Sequence, residues 1–181
     1  PLVFANPTAA GLAELVTGQS DRREPCLLRI LRDGAEPAAY LFHPVDGSGA
    51  VYQKLADIWA GGRRIVAVEQ GAGFETLAEQ AEAYADAIAR AADERAPVLL
   101  AGWSLGAVIA AAVASRLRNA GRDVRVVLLD AAAPTAGDAA IDAAEIEAAA
   151  AEAGADADIA ARARDNVRIA AEHRFVPANG P

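Results

Sequence analysis

The sequence predicts an α/β fold with a mostly parallel sheet flanked by helices. Two observations carry that prediction. Short runs rich in Val, Leu and Ile alternate with longer stretches of helical patterning, as they do where parallel strands are joined by crossover helices. After residue 129 the alternation stops, and 139–175 shows only Ala, Glu, Asp and Arg helix with no strand signal. A tail of that kind suits a helical cover laid over the sheet's carboxyl edge.

Taken in order, the first strand is expected at 26–31, the apolar run CLLRIL. Cys26 at its start reads as a small buried side chain. The run AAYLF at 38–42 is the second strand, and 51–59 follows it as a short helix. A third strand is expected at 65–69 and a long helix at 75–92. The run VLLA at 98–101 is the fourth strand, and the alanine-rich 105–119 is a helix stopped by Gly121, since glycine readily takes the left-handed geometry that ends a helix. The fifth strand is 124–129, VRVVLL. In the cover, Ile159, Ala163, Val167 and Ala170 are spaced to form one apolar stripe, with Gly154 between two helices. The stretch 139–153 has only Ile141 and Ile146 as large apolar residues, so it buries little and is expected to be weakly held.

Length and composition set the outer limits. With 181 residues the chain is one domain, and 54 % hydrophobic with 5 % aromatic residues means a core built from Ala, Leu, Val and Ile. The longest apolar runs, near 98–101 and 126–129, are far too short to span a bilayer, and no basic stretch followed by an apolar one marks the N-terminus. A soluble, cytoplasmic protein is expected. Seventeen basic against twenty-five acidic residues give a net charge of -8, the wrong sign for nucleic-acid binding. A single cysteine excludes an internal disulfide framework and a cysteine metal cage, and no metal site is expected.

The chemistry centres on Gly102-Trp103-Ser104-Leu105-Gly106, set between a strand and a helix. With fifteen glycines and four serines, a Gly-x-Ser-x-Gly match arises by chance in roughly one such chain in forty, and less often in this context. A serine at that corner projects its hydroxyl at the carboxyl end of a strand, where open parallel sheets carry their active sites. Glycine at 102 and 106 has a steric reason, because a side chain at either position would crowd the turn. A second candidate is Asp130, which ends the run VRVVLLD twenty-six residues after Ser104 and should emerge at the same edge, where an acid that orients a histidine would sit. The loop FHPVDGSG, with Pro44, Gly47 and Gly49, exposes backbone N–H groups, and the amides of Val45 and Leu105 are the candidate oxyanion donors.

The stretches YLFHPVDGSGAVYQKLADIW, GWSLGA and VVLLDAAAP, in this order and spacing, resemble the C-terminal thioesterase domains of nonribosomal peptide and polyketide synthases, which are α/β-hydrolases. The likeness covers about residues 25–177, and LVFANPTAAGLAELV is similar to the last helix of the carrier-protein domain that precedes such thioesterases. The resemblance implies a carrier helix remnant and linker at 1–20 and a thioesterase domain from 21, with its core at 21–137 and a mobile lid at 138–175. It implies that Ser104 accepts an acyl or peptidyl chain from the 4'-phosphopantetheine arm of an upstream carrier protein, with Asp130 as triad acid and the Val45 and Leu105 amides as oxyanion hole. The domain itself would bind no cofactor. The absence of apolar dimerisation helices before the first strand points to the peptide-synthetase branch.

In that family the triad histidine follows the lid, one strand further on. This sequence has only two histidines: His43, in the loop, where a loop-shaping role is expected, and His173, at the end of a lid-type helix. Neither is read as the base, and the expectation is a C-terminal part that is missing here, leaving residues 1–181 alone inactive. Two other readings stay open, a free-standing serine esterase or lipase and a non-catalytic fragment that docks a carrier protein.

Overall fold

The structure is a computed structural model and describes residues 27–131, 148, 152, 154 and 157–171. The expected carrier helix and linker at 1–20, Cys26, the lid's first part at 138–147 and His173 lie outside the described residues. The chain runs β1 (Leu28–Arg32), β2 (Ala35–Phe42), a 3-10 turn (Gly49–Tyr52) leading into α1 (Gln53–Ile58), β3 (Arg63–Val68), α2 (Leu77–Ala91), β4 (Val98–Trp103), α3 (Leu105–Asn119), β5 (Val124–Leu129) and α4 (Ala157–Ala171).

The five strands form one sheet in the order β1-β3-β2-β4-β5. β2 runs parallel to β3 and β4, and β4 parallel to β5, while β1 alone runs antiparallel, beside β3. The expected strands at 98–101 and 38–42 are longer than their apolar runs, because Gly102 and Trp103 at one end and 35–37 at the other still lie in strand geometry. The helix at 105–119 and the strand at 124–129 have the expected limits.

Alternation along β2 explains the layers. Ala38, Tyr40 and Phe42 point to one face, where they meet Leu77, Ala81, Tyr84 and Ile88 of α2 and Ile109, Val113 and Leu117 of α3. Ala39 and Leu41 point to the other, against Tyr52, Ala56 and Ile65. With apolar residues on both faces, β2 sits mid-sheet. α2 begins at Thr76, whose side chain accepts from the Glu79 amide at 3.2 Å while the Glu79 carboxylate accepts from the Glu75 amide at 3.0 Å. α3 ends where Gly121 takes φ 82°, with the Gly121 and Arg122 amides folded back on the Arg118 and Leu117 carbonyls at 2.9 and 3.0 Å.

Among the described residues, β5 is an edge strand. Val124 and Val126 turn toward the α3 side, whereas Val127, Leu128 and Leu129 are 56 %, 47 % and 45 % exposed. Beyond it, Ala148 and Glu152 are helical, Gly154 turns at φ 67°, and α4 follows. The expected stripe is only partly right. Ala163 is buried and Ile159, Val167 and Ala170 are half-buried, but the deepest positions besides Ala163 are Ile169 and the polar Asn166, which is fully buried.

Candidate active site

Four elements converge where β4 turns into α3. Ser104 sits between them at φ 54°, ψ -124°, a strained backbone of the kind found at functional corners. Its amide donates to the Leu129 carbonyl at 3.0 Å and its carbonyl accepts from the Ala107 amide at 2.9 Å, so the corner is fixed by β5 on one side and α3 on the other. Ser104 is half-buried, and among the described residues its side chain makes no cap hydrogen bond.

The flanking glycines are required by contact. A Cβ on Gly102 would lie 2.0 Å from the Gly106 carbonyl oxygen and 2.5 Å from the Ala107 nitrogen, and one on Gly106 would lie 2.4 Å from the Phe42 oxygen and 2.9 Å from the His43 oxygen. These are backbone atoms that cannot swing away. Gly102→Ala should therefore destabilise the fold by about 3 kcal/mol or more. Chemical denaturation with native-like circular dichroism as the reference checks this, and a loss under about 1 kcal/mol would mean that the close approach is not maintained.

Asp130 emerges at the same edge. Trp103 pairs with Leu129 in the β4–β5 register, so Asp130 follows β5 directly where Ser104 follows β4. It has a positive φ of 50°, which Asp tolerates better than most residues, and it is exposed. Its recorded contact is a long one, from the Trp103 indole N–H at 3.4 Å.

The loop from His43 to Ala50 is held through nearly every amide it has. The His43 amide donates to the Val68 carbonyl at 3.1 Å, Gly47 to Pro44 at 3.1 Å, Ser48 to the Asp46 carboxylate at 3.0 Å, Gly49 to the Glu69 carboxylate at 2.7 Å and Ala50 to the Ser48 hydroxyl at 3.2 Å. Pro44 has no N–H. Among the described residues only the Val45 and Asp46 amides of this loop have no recorded acceptor. The Leu105 amide, at the first turn of α3 where helical N–H groups lack intrahelical partners, has none recorded either. Since Gly106 touches the Phe42 and His43 carbonyls, the loop and the start of α3 lie against each other.

His43 is fully buried and does not face Ser104's chemistry. Its Nδ1 lies 2.8 Å from the Pro44 carbonyl, which only accepts, so Nδ1 carries the proton. Nε2 then accepts from the Tyr84 hydroxyl at 2.9 Å, and that hydroxyl in turn accepts from the Gly71 amide at 3.3 Å. Burial lowers the His43 pKa and keeps the ring neutral, and burial likewise raises that of Tyr84. The loop-shaping expectation agrees with this geometry.

Two supports of the corner and the loop escaped the sequence. The buried Tyr52 hydroxyl donates to the Phe42 carbonyl at 2.8 Å and accepts from the Trp103 amide at 3.0 Å, bridging the ends of β2 and β4 beside Ser104. The second is Asn166, whose carboxamide N–H group donates to the Val45 carbonyl and to Gln70 Oε1, both at 2.9 Å. The available signals were slight: a tyrosine that must find a partner when buried, and a polar residue inside an apolar stripe.

The thioesterase domain family model matches residues 38–168, which takes in the loop, the Ser104 corner, Asp130 and most of α4. The chain belongs to the thioesterase domain family. A dimodular nonribosomal peptide synthase of Bacillus subtilis (strain 168) is 34 % identical over 137 residues, covering 71 % of this chain and 6 % of that protein. This chain thus spans a small fraction of the length of the curated relatives it matches, 10 % for the Aspergillus terreus synthetase btyA at 33 % identity over 96 residues. Among solved structures, the NocB thioesterase domain in covalent complex with a fluorophosphonate nocardicin G analog superposes with a TM-score of 0.72 at 25 % identity, over 81 % of this chain and 71 % of that one. A four-domain nonribosomal peptide synthetase bound to AMP and glycine gives 0.73 at 20 % identity, over 99 % of this chain and 18 % of that one. The thioesterase domain fold is thus the α/β-hydrolase fold that the motifs implied, and the family is one of hydrolases. Among the described residues no cluster of His, Cys, Asp and Glu is placed to hold a metal, and no helix is long and apolar enough to cross a membrane.

Proposed function

We propose that this chain is the thioesterase part of a cytoplasmic nonribosomal peptide synthetase, with a carrier remnant and linker at 1–20 and the hydrolase domain from residue 21. The observation that carries the reading is the serine held at φ 54° between β4 and α3, with a carboxylate one strand over and unused amides beside it. In the reaction, Ser104 Oγ attacks the carbonyl of a chain held as a thioester on the 4'-phosphopantetheine of an upstream carrier protein. The C–S bond breaks, the thiol leaves with a proton, and an ester to Ser104 remains. Water, or an amine or hydroxyl of the chain itself, then attacks that ester and returns the proton to Ser104. The Val45 and Leu105 amides bind the oxyanion in both steps, and the domain uses no cofactor of its own.

The base in this reading is a histidine carried on a segment downstream of residue 181, which adds to the outer edge of β5 and is oriented by Asp130. The exposed Val127, Leu128 and Leu129 support it, since apolar side chains on a strand that has no outer neighbour among the described residues favour a further element there. Residues 1–181 alone are then expected to acylate slowly.

The test offers the full-length protein a carrier-bound acyl thioester and, separately, a simple soluble ester. Acyl transfer to Ser104 followed by release from the carrier is expected, with the soluble ester turned over poorly. Preferential hydrolysis of the soluble ester would make the protein a free-standing esterase, and carrier binding without acylation would make it a docking module.

A further inference from the structure

The last helix reaches back across more than a hundred residues to the loop that carries Val45. Asn166 is fully buried in α4, and its Nδ2 lies 2.9 Å from both the Val45 carbonyl oxygen and Gln70 Oε1. Because a main-chain carbonyl only accepts, the orientation of this carboxamide is set: the N–H group faces the loop. Its Oδ1 has no donor among the described residues, so the buried carboxamide makes its hydrogen bonds through the N–H group. Gln70 completes the joint. Its amide donates to the Gly47 carbonyl at 3.0 Å, and its Oε1 packs so close to Gly47 that a Cβ there would lie 2.1 Å away. One turn before Asn166, Arg162 Nε donates to the Asp46 carbonyl at 3.3 Å.

Two successive carbonyls of the loop, at Val45 and Asp46, are thus held by side chains of α4, while the amides at the same two positions have no recorded acceptor. We propose that Asn166 is a positioning residue that sets the oxyanion loop through the Val45 carbonyl, so that docking of the helical cover and readiness of the Val45 amide are one event. The inference rests on the role given above to Val45. A cover that merely lay over the sheet would be held by apolar contact. Here its deepest residue is polar and is spent on the loop, so lifting α4 frees the Val45 carbonyl and leaves the Val45 amide held from one side only, through the Pro44 carbonyl of its own peptide, which accepts from Gly47 and His43. Chain entry under a displaced cover would then meet an incomplete oxyanion site, and acyl transfer would wait for the cover to settle.

The test uses the full-length protein with Asn166→Leu, which keeps the branched outline of the side chain and removes the donor. Hydrogen exchange without substrate should become at least about tenfold faster at 45–47, read at the Gly47 amide that is hydrogen-bonded there, while 105–119 is unchanged. With a carrier-bound thioester, kcat should fall by about tenfold to a hundredfold with KM within about twofold, as expected for a misplaced oxyanion donor. Unchanged exchange at 45–47, a rise in KM alone, or equal loss of protection at 45–47 and 105–119 would overturn the inference. Should Asn166→Leu not fold, Arg162→Ala removes the exposed anchor and should shift exchange at 45–47 in the same direction, and no shift there overturns it. The exchange readout needs no substrate, so failure of the thioesterase reading leaves it standing. Normal loop exchange in a variant whose Ser104 still acylates overturns this inference alone.

Discussion

Ser104→Ala in the full-length protein is expected to abolish release of the carrier-bound chain, with a fall on the order of a millionfold, because in the proposed mechanism its hydroxyl forms the covalent ester. The fold should survive. Ser104 is half-buried, its hydroxyl caps nothing, and alanine meets the same backbone strain at φ 54° as serine does, so stability should change by less than about 0.5 kcal/mol. A serine-directed fluorophosphonate should label the wild-type protein at Ser104 and leave the variant unlabelled. The remaining candidates among the described residues are engaged: the Ser115 hydroxyl donates to the Ala111 carbonyl at 3.1 Å, and the Ser48 hydroxyl accepts from the Ala50 amide. Peptide mapping that put the label on either of them would remove Ser104 from its role.

Asp130→Asn should lower the rate by up to about ten-thousandfold without altering the fold. Asparagine is as large as aspartate and accepts a positive φ as readily, so the exposed position at φ 50° keeps its geometry. What changes in the proposed mechanism is the partner offered to the downstream histidine, since a carboxamide stabilises the wrong tautomer and does not stabilise the imidazolium. Trp103→Phe is the control. It removes the indole N–H at 3.4 Å from Asp130 and leaves the carboxylate, so its effect should be far smaller. Steady-state kinetics on the same carrier-bound thioester compares the two, and an Asp130→Asn rate within about tenfold of wild type would show that another group orients the base.

The parts of this protein that could be read from the sequence are those decided by neighbours along the chain. Helix 105–119 and strand 124–129 had their limits set by local signals, a glycine after one and a run of Val and Leu broken only by Arg125 in the other. The serine corner was legible for the same reason. Gly102, Ser104 and Gly106 act on one another within a single turn, and the 2.0 Å approach that forbids a side chain at Gly102 is to Gly106 itself. β1 was less so. Its strand was foreseeable, but its antiparallel pairing with β3 follows from how the sheet closes rather than from the residues of either strand.

By itself the sequence determined the alternation of strand and helix, the hydroxyl at the carboxyl edge and the carboxylate that follows the next strand, since period, glycine sterics and strand polarity are local quantities. Only the tertiary structure decided that Tyr52 would join Phe42 to Trp103, that His43 would turn inward to Tyr84, and that Asn166 would leave its apolar stripe to hold Val45. Each of these is a hydrogen bond between groups 10 to 121 residues apart in the chain. A buried polar group must find a partner, but which partner is set by where the packed elements bring it, and no spacing along the chain encodes that.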